Sequence, residues 1–236
     1  MCTVTFVASA KTTIITSNRD EQVSRPSLEP AVYNVNGKNL LFPKDPRAGG
    51  TWFATDEKAN VLVLLNGADH FHNHLPPYRR SRGLIVLDLL SSGSAIENWD
   101  EIDLTDVEPF TIVLFQDRKL YQLRWNSTQK SRLDLDETKD YIWSSTTLYP
   151  QEVRDQREKW FKSFLESKPN PSSAEMLDFH RYTEGDDSQN GLVINREGIQ
   201  LRTLSITQAV VEDNRLQLRH SDLVGNSIFE NAIAIL

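Results

Sequence analysis

Cysteine is almost absent from this sequence: one thiol, at position 2, occurs among 236 residues. A single cysteine excludes an intramolecular disulfide and a zinc site built from several thiolates. The scarcity of cysteine suits a reducing compartment. The first residues also lack the basic-then-apolar pattern of a secretory signal. We therefore expect a cytoplasmic protein.

Long apolar runs and an excess of positive charge are missing as well. No uninterrupted apolar stretch approaches the ~20 residues of a membrane-spanning helix, so we expect no membrane span. The net charge is −7 and the isoelectric point about 5.3. Nucleic-acid binding favours a basic surface, and we expect no such partner. A glycine-rich phosphate loop is also lacking.

The remaining composition is that of an ordinary globular protein, with 39% hydrophobic and 25% charged residues. A chain of this length buries a substantial core and fits one large domain. We therefore predict a single domain over residues 1–236. The composition leaves the oligomeric state open.

The first two dozen residues hold the most informative pattern. Two β-branched or alternating stretches, Thr3–Val7 and Thr12–Ser17, are typical of strands. The tetrad Asn-Arg-Asp-Glu follows at 18–21. A hairpin turning at Ala10-Lys11 brings Cys2 beside this tetrad.

Cys2 has the chemistry of a self-activating nucleophile once Met1 is removed. Its free α-amine then has a pKa of about 7.7–8.0 and its thiol one of about 8.5. A terminal amine is a known base for a side-chain nucleophile, and Arg19 favours the thiolate. Two plainer interpretations stay open: Cys2 is an incidental buried cysteine, and the tetrad is a polar loop with a structural salt bridge.

These residues, with others in the same order along the chain, resemble the NRDE family, also called the transport and Golgi organization 2 family. The resemblance implies an N-terminal-nucleophile (Ntn) hydrolase-like fold, similar to the choloylglycine hydrolase and penicillin acylase group. It also implies four layers, αββα, with two mainly antiparallel sheets inside and helices outside. The downstream matches are Arg25-Pro26, Gly49-Gly50-Thr51-Trp52-Phe53, Leu64-Leu65-Asn66-Gly67, Arg80-Ser81-Arg82-Gly83 and Asn190-Gly191.

The resemblance also implies roles for individual residues. Cys2 is the nucleophile, Arg19 stabilises a thiolate or a substrate anion, and Asp20 holds the α-amino group with help from Asn18. Asn66 donates its amide to the oxyanion, a contribution of about 2.7–4 kcal/mol in other enzymes. The alternative for Asn66 is that Asn-Gly merely forms a turn.

One position departs from the related hydrolases. Where they carry an asparagine after a later strand, this chain has Ser145. A hydroxyl can bond the α-amine or a substrate, but it cannot offer the two-sided contact of an amide. The second arginine of those hydrolases has no secure match in this chain, although Arg202 is a candidate.

Three alternating histidines follow Asn66, at positions 70, 72 and 74. Alternate imidazoles can share a metal, and histidine can ligate haem iron. The plainer interpretation, which we favour, is a solvated loop rim with no metal bound.

Three cations follow at Arg79, Arg80 and Arg82. They form either the solvated start of a helix or an anion-binding set at a pocket mouth. In the second case Arg82 contacts the substrate.

Element patterns complete the fold prediction. Strands, helices, strands, helices and strands follow in segregated runs, which indicates an α+β protein with antiparallel sheets. Asn36-Gly37 is a strong hairpin signal, and two further hairpins are predicted over 191–207 and 209–220. In the clearest helix, 150–166, Arg157 is assigned to the solvated side. The predicted helices are Tyr78–Leu90, Ser94–Asp100, Pro150–Glu166 and Ala174–Arg181.

Two functions fit these residues. The first is a cysteine-dependent amidase-like enzyme that cleaves a non-peptide C–N bond of a small molecule and needs no cofactor. The second is a non-catalytic carrier that uses the same pocket for haem or another amphipathic anion, in keeping with Ser145 and with the haem-trafficking role linked to eukaryotic members of the family.

Overall fold

The computed structural model describes residues 3–9, 11–182, 187–213 and 215–234, apart from the side chain of Ala234. Within these ranges the chain forms two seven-stranded sheets and four α-helices. The strands are β1 Thr3–Ala8, β2 Thr13–Gln22, β3 Leu28–Val35, β4 Lys38–Lys44, β5 Phe53–Asp56, β6 Val61–Asn66, β7 Phe110–Gln116, β8 Lys119–Trp125, β9 Lys130–Leu135, β10 Tyr141–Ser144, β11 Asn195–Arg196, β12 Leu201–Val211, β13 Arg215–Asp222 and β14 Ser227–Ala234. The helices are α1 Arg82–Ser91, α2 Ala95–Glu101, α3 Gln151–Ser167 and α4 Ser173–Arg181.

The sheets stack face to face, and each has helices on its outer side. The first sheet has the order β10-β1-β2-β12-β13-β14, with β11 on β12, and the second runs from β3 to β9 in chain order. All these strand pairs are antiparallel. Helix α1 packs on the second sheet, whereas α3 and α4 pack on the first. The α+β class and the four-layer αββα arrangement are confirmed.

Strand alternation divides the apolar residues between two cores. Val4 and Phe6 point between the sheets, where Phe6 packs on Phe115 with ring centroids 5.8 Å apart. Val7 and Ile14 point the other way, into a smaller core beneath α3 and α4. No helix in the described part of the chain is both long and apolar enough to cross a bilayer.

Several element boundaries differ from the prediction. Helix α1 begins at Arg82 instead of Tyr78, because Arg79 and Arg80 pair with the backbone of residues 106 and 107 as an extended segment. The two predicted hairpins are present as β11 with β12 and β12 with β13. The predicted break between residues 207 and 209 is absent, since β12 pairs along its length with β2. Strand β14 was not predicted. The Asn36-Gly37 hairpin is confirmed.

The polar tetrad lies inside β2 and not after it. Strand β2 continues to Gln22 and pairs with β1 on one side and β12 on the other. Asn18, Arg19 and Asp20 are therefore at most 2% exposed. The interpretation of the tetrad as a polar loop is wrong, because a central strand covered on both faces leaves these side chains no access to bulk water.

Arg157 is also buried, although the sequence assigned it to the solvated side of α3. It is 0% exposed. It donates to Thr3 Oγ1 at 2.5 Å and to the backbone carbonyls of Asn190 and Gly191. The reason is helical spacing: Arg157 follows Val153 by four residues and precedes Phe161 by four, so it lies on the inward stripe.

A second buried polar contact ties α4 to the first sheet. The ring of His180 bonds Thr5 Oγ1 at 2.7 Å through Nε2 and Asn18 Oδ1 at 2.5 Å through Nδ1. His180 is fully buried. Burial, and secondarily the charge of Arg157, lowers the pKa of His180 to about 3. The ring is therefore neutral near pH 7.

We expect stability to fall on acidification below pH 6.5. The folded-state pKa of His180 lies below its unfolded value of about 6.5, so the unfolded chain takes up a proton first. The stability that this residue contributes is complete above pH 6.5 and is lost as the pH falls, by at most about 1.4 kcal/mol per pH unit. Urea unfolding at pH 7, 6 and 5 measures the slope.

His180→Gln should show a shallower slope, whereas His70→Gln, in an exposed loop, should keep that of the wild type. Equal slopes in all three proteins would contradict the assignment.

Two glycines let the start of α1 approach the second sheet. Gly50 and Gly83 lie back to back, and the Thr51 amide donates to the Gly83 carbonyl at 3.1 Å. A Cβ on Gly50 would lie 2.3 Å from the carbonyl carbon of Gly83, which is backbone and cannot move cheaply. This contact fixes the position of Arg82, the first residue of α1.

Gly50→Ala should therefore lower the free energy of unfolding by about 2–3 kcal/mol through overpacking. The matched control is Gly198→Ala, where an added Cβ meets nothing within 4 Å. Urea midpoints followed by tryptophan fluorescence compare the two. An unchanged midpoint for Gly50→Ala would refute the close approach.

Candidate functional site

A cleft of about 860 Å³ opens where the second half of β2 faces the second sheet and its loops. Four of the seven predicted site residues line it: Arg19, Asp20, Asn66 and Arg82. Its other walls come from the segment 45–52, the loop 71–78 and the segment 147–148. The cleft therefore brings together four of the six candidates that the structure describes, whereas Asn18 and Ser145 do not line it.

Cys2, the predicted nucleophile, lies outside the described residues. The next residue, Thr3, lies opposite Asn18 on one side and Ser144 on the other. Arg157 fixes Thr3 through its hydroxyl. The start of β1 is thus held from both neighbouring strands and from α3.

Arg19 faces the second sheet. Its guanidinium carbon lies 4.5 Å from the centre of the Trp52 ring, and Nη1 donates to the Arg25 carbonyl at 2.8 Å. Cation–π contacts of this kind contribute about 2 kcal/mol or more when the cation is desolvated. The residue is 2% exposed. A permanent positive charge is therefore held in a fixed orientation at the floor of the cleft.

Asp20 is held from the opposite side of the strand. It accepts hydrogen bonds from Tyr149 Oη and Thr203 Oγ1, both at 2.5 Å. The register of β12 shifts between Thr203 and Ser205, so that Thr203 pairs with Asp20 and Ser205 with Arg19. This bulge places a hydroxyl against the carboxylate. Without it, Leu204 would be the partner of Asp20.

Asn66 ends β6, and a tight backbone contact fixes it there. Ser145 Oγ donates to the Asn66 carbonyl at 2.8 Å and also bonds Thr147 Oγ1 at 3.0 Å. Gly67 has a φ of +82°, and a Cβ there would lie 2.1 Å from Thr146 Oγ1. Only glycine fits. The Asn-Gly pair thus forms a turn and, at the same time, presents Asn66 to the cleft.

Ser145 and Asn18 hold neighbouring backbone segments in place. Ser145 is 1% exposed and braces the backbone of Asn66. Asn18 faces α4, where its Nδ2 donates to the carbonyls of His180 and Leu192 at 3.0 and 2.6 Å. Strand alternation accounts for this, because Asn18 and Arg19 are adjacent on β2 and point to opposite faces.

At the mouth of the cleft, the carboxylate of Glu108 contacts three other lining residues. Glu108 pairs with Arg82 at 3.0 Å, and its other oxygen bonds His72 Nε2 at 3.2 Å and His74 Nδ1 at 3.0 Å. Burial acts to raise the pKa of Glu108, but Arg82 and the two histidines outweigh it and lower that pKa. Burial also lowers the pKa of Arg82, against the opposing effect of Glu108. Through these contacts, Glu108 connects the loop 71–78 to Arg82 at the start of α1.

The three histidines do not converge. His70 is exposed and lies away from His72 and His74, which both contact Glu108. Among the described residues no group of three or more His, Cys, Asp or Glu side chains is arranged to hold a metal. Of the neighbouring cations, Arg79 pairs with Asp103 and Arg80 with Asp88.

Three residues with contacts at the site were not predicted from the sequence: Trp52, Tyr149 and Thr203. Trp52 lies within a matched family motif, so a contact with Arg19 was open to inference. Tyr149 and Thr203 carry no local signal, because they meet Asp20 only across 129 and 183 residues of chain. Arg82, the predicted substrate contact, lines the cleft. Arg202, the candidate for the second arginine, does not line it, although its neighbour Leu201 does.

Three solved structures with folds similar to that of this chain are named as an amidase and as variants of a bile acid hydrolase. An N-acylethanolamine-hydrolyzing acid amidase ortholog from Caenorhabditis elegans superposes with a TM-score of 0.62 at 10% identity, covering 88% of this chain and 92% of that one. A variant of the conjugated bile acid hydrolase from Clostridium perfringens gives 0.59 at 10% identity, covering 99% and 92%. A second variant of the same enzyme gives 0.54 at 9% identity, covering 98% and 96%.

These likenesses establish an Ntn-hydrolase-like fold. A comparison with characterised protein sequences gave no significant match. The family model for Transport and Golgi organisation 2 matches residues 1–209. On that match the chain belongs to the Transport and Golgi organisation 2 family.

Proposed function

We propose that the protein is a hydrolase that uses Cys2 as an N-terminal nucleophile to cleave a non-peptide amide bond in a small molecule. The observation that carries the proposal is the meeting of Arg19, Asp20 and Asn66 at one cleft. The fold adds support, since the amidase and the bile acid hydrolase with similar structures cleave, by their names, an N-acylethanolamine and a conjugated bile acid.

The proposal requires Cys2 to share the face of β1 that carries Val4 and Phe6. Both of these residues point between the sheets, as Arg19 does on β2. Thr3 lies opposite Asn18 in the antiparallel register. The proposal requires the same register to continue by one step, which would pair residue 2 with Arg19. The guanidinium would then lie beside the thiol and lower its pKa.

The roles follow from charge and reach. The Cys2 thiolate attacks the amide carbon, and Asn66 donates its side-chain amide to the oxyanion that forms. The carbon–nitrogen bond breaks, and the leaving amine takes a proton from the α-ammonium group of Cys2, which Asp20 orients. This leaves an acyl thioester. Water attacks the thioester and gives one proton to the α-amine. The carbon–sulfur bond then breaks, which releases the carboxylic acid and restores the thiolate and the α-ammonium group.

A thiol-directed acylating probe tests the proposal without knowledge of the substrate. Intact mass spectrometry of the purified protein should show a chain that lacks Met1 and gains one acyl group. Cys2→Ser should abolish labelling. Arg19→Met should slow it several-fold near pH 7, because the thiol pKa returns towards about 8.5. Retention of Met1, or labelling equal in Cys2→Ser, would overturn the proposal.

A second candidate is a carrier that uses the same cleft for haem or another amphipathic anion. The favouring observation is the mixed lining, with apolar side chains from Trp52, Phe71 and Leu148 beside cations such as Arg25 and Arg80. Ser145, bonded to the backbone of Asn66, also leaves the site without the asparagine of the related hydrolases.

Haemin titration distinguishes the two. For a carrier, haemin at low micromolar concentration should give a saturable shift of the Soret band. Replacement of His72 and His74 by alanine should weaken binding if imidazole ligates the iron, whereas His70→Ala serves as the control on the same loop. Saturable binding together with an unreactive Cys2 favours the carrier; acylation without haemin binding favours the hydrolase.

A further inference from the structure

Asp20 is part of a buried network that extends well beyond the cleft. Its two hydroxyl partners, Tyr149 and Thr203, are 1% and 2% exposed. Both donate at 2.5 Å, one to each carboxylate oxygen. A carboxylate with a hydroxyl on each oxygen has little freedom to rotate.

Two arginines hold the ring of Tyr149. The guanidinium carbon of Arg157 lies 3.6 Å from the ring centre, and that of Arg196 lies 5.2 Å from it. Arg157 is 0% exposed. None of the described carboxylates lies within ion-pair distance of it. Its charge is offset by backbone carbonyls and by the aromatic face.

The same arginine reaches the start of β1. Arg157 Nη1 donates to Thr3 Oγ1 at 2.5 Å, while Nη2 donates to the Gly191 carbonyl at 2.6 Å. One side chain therefore connects the first described residue of the chain with the phenol that bonds Asp20. Such a connection sets the distance between the start of β1 and the carboxylate.

We propose that Tyr149 and Thr203 form a two-hydroxyl clamp on Asp20, and that Arg157 ties this clamp to the start of β1, so that the carboxylate is aligned with the terminal amine. Tyr149, Thr203 and Arg157 are positioning residues, since they act through Asp20 and Thr3. The inference rests on the proposed function, in which Asp20 orients the α-ammonium group of Cys2.

The clamp has a consequence for the reactivity of the thiol. An α-ammonium group held beside the sulfur favours the thiolate. When the carboxylate is free to rotate, that ammonium is less well held and the thiol pKa rises. Arg19 contributes its own charge from the other face of β2, where it packs on Trp52. The two effects are therefore separable by mutation.

The experiment measures the rate of alkylation of the single cysteine by iodoacetamide from pH 5 to pH 9, with intact-mass readout. Tyr149→Phe removes one donor and keeps the ring. It should raise the apparent thiol pKa by about half a unit or more, which lowers labelling near pH 7 about 3-fold. Tyr141→Phe is the matched control, because it removes a phenol on β10 that has no contact with Asp20. It should label as the wild type does.

Thr203 supplies an independent pair of variants in case Tyr149→Phe does not fold. Thr203→Val removes the other donor and should raise the thiol pKa, whereas Thr203→Ser keeps the hydroxyl and should restore it. A lowered thiol pKa in the wild type, unchanged in Tyr149→Phe and in Thr203→Val, would overturn the clamp and leave the proposed function standing. An ordinary thiol pKa in the wild type, with no acylation, would instead remove the proposed function itself.

Discussion

The burial of a charged dipeptide in the middle of a sheet is the constraint on which the rest of the architecture depends. Arg19 and Asp20 lie side by side on β2, between β1 and β12. Removing an isolated charge from water costs several kcal/mol unless hydrogen bonds or opposite charges replace the solvent. Because neighbours on a strand point to opposite faces, each charge needs partners from a different layer.

Each layer supplies them. The second sheet brings the Trp52 ring under Arg19, and the loop after β2 adds a carbonyl. On the other face, the bulge in β12 turns Thr203 to Asp20, and the segment before α3 adds Tyr149. The packing around β2 therefore does more than bury apolar area, since it also brings the partners of both charges into place.

The cleft exists because backbone segments approach closely around it. Gly50 against Gly83 seats the start of α1, and Gly67 against Thr146 seats the end of β6. These contacts put Arg82 and Asn66 on walls that cannot easily move. Glu108 then closes the mouth through Arg82 and two histidines.

The sequence by itself determined the class of fold, the family and four of the residues that line the cleft. Local patterns were sufficient for the hairpin at Asn36-Gly37 and for the existence of all four helices, because turn chemistry and helical spacing act over a few residues. The family motifs carried Arg19, Asp20, Asn66 and Arg82. The spacing of Arg157 between Val153 and Phe161 indicated a buried position, although the charge of Arg157 favoured an exposed one.

Only the tertiary structure decided which partners satisfy the buried polar groups. Tyr149 and Thr203 reach Asp20, and Thr5 reaches His180, over separations of more than 100 residues. The continuation of β2 through the tetrad was likewise a tertiary outcome. A polar segment forms a central strand only when distant residues replace the water it loses, and no local pattern reports whether they do.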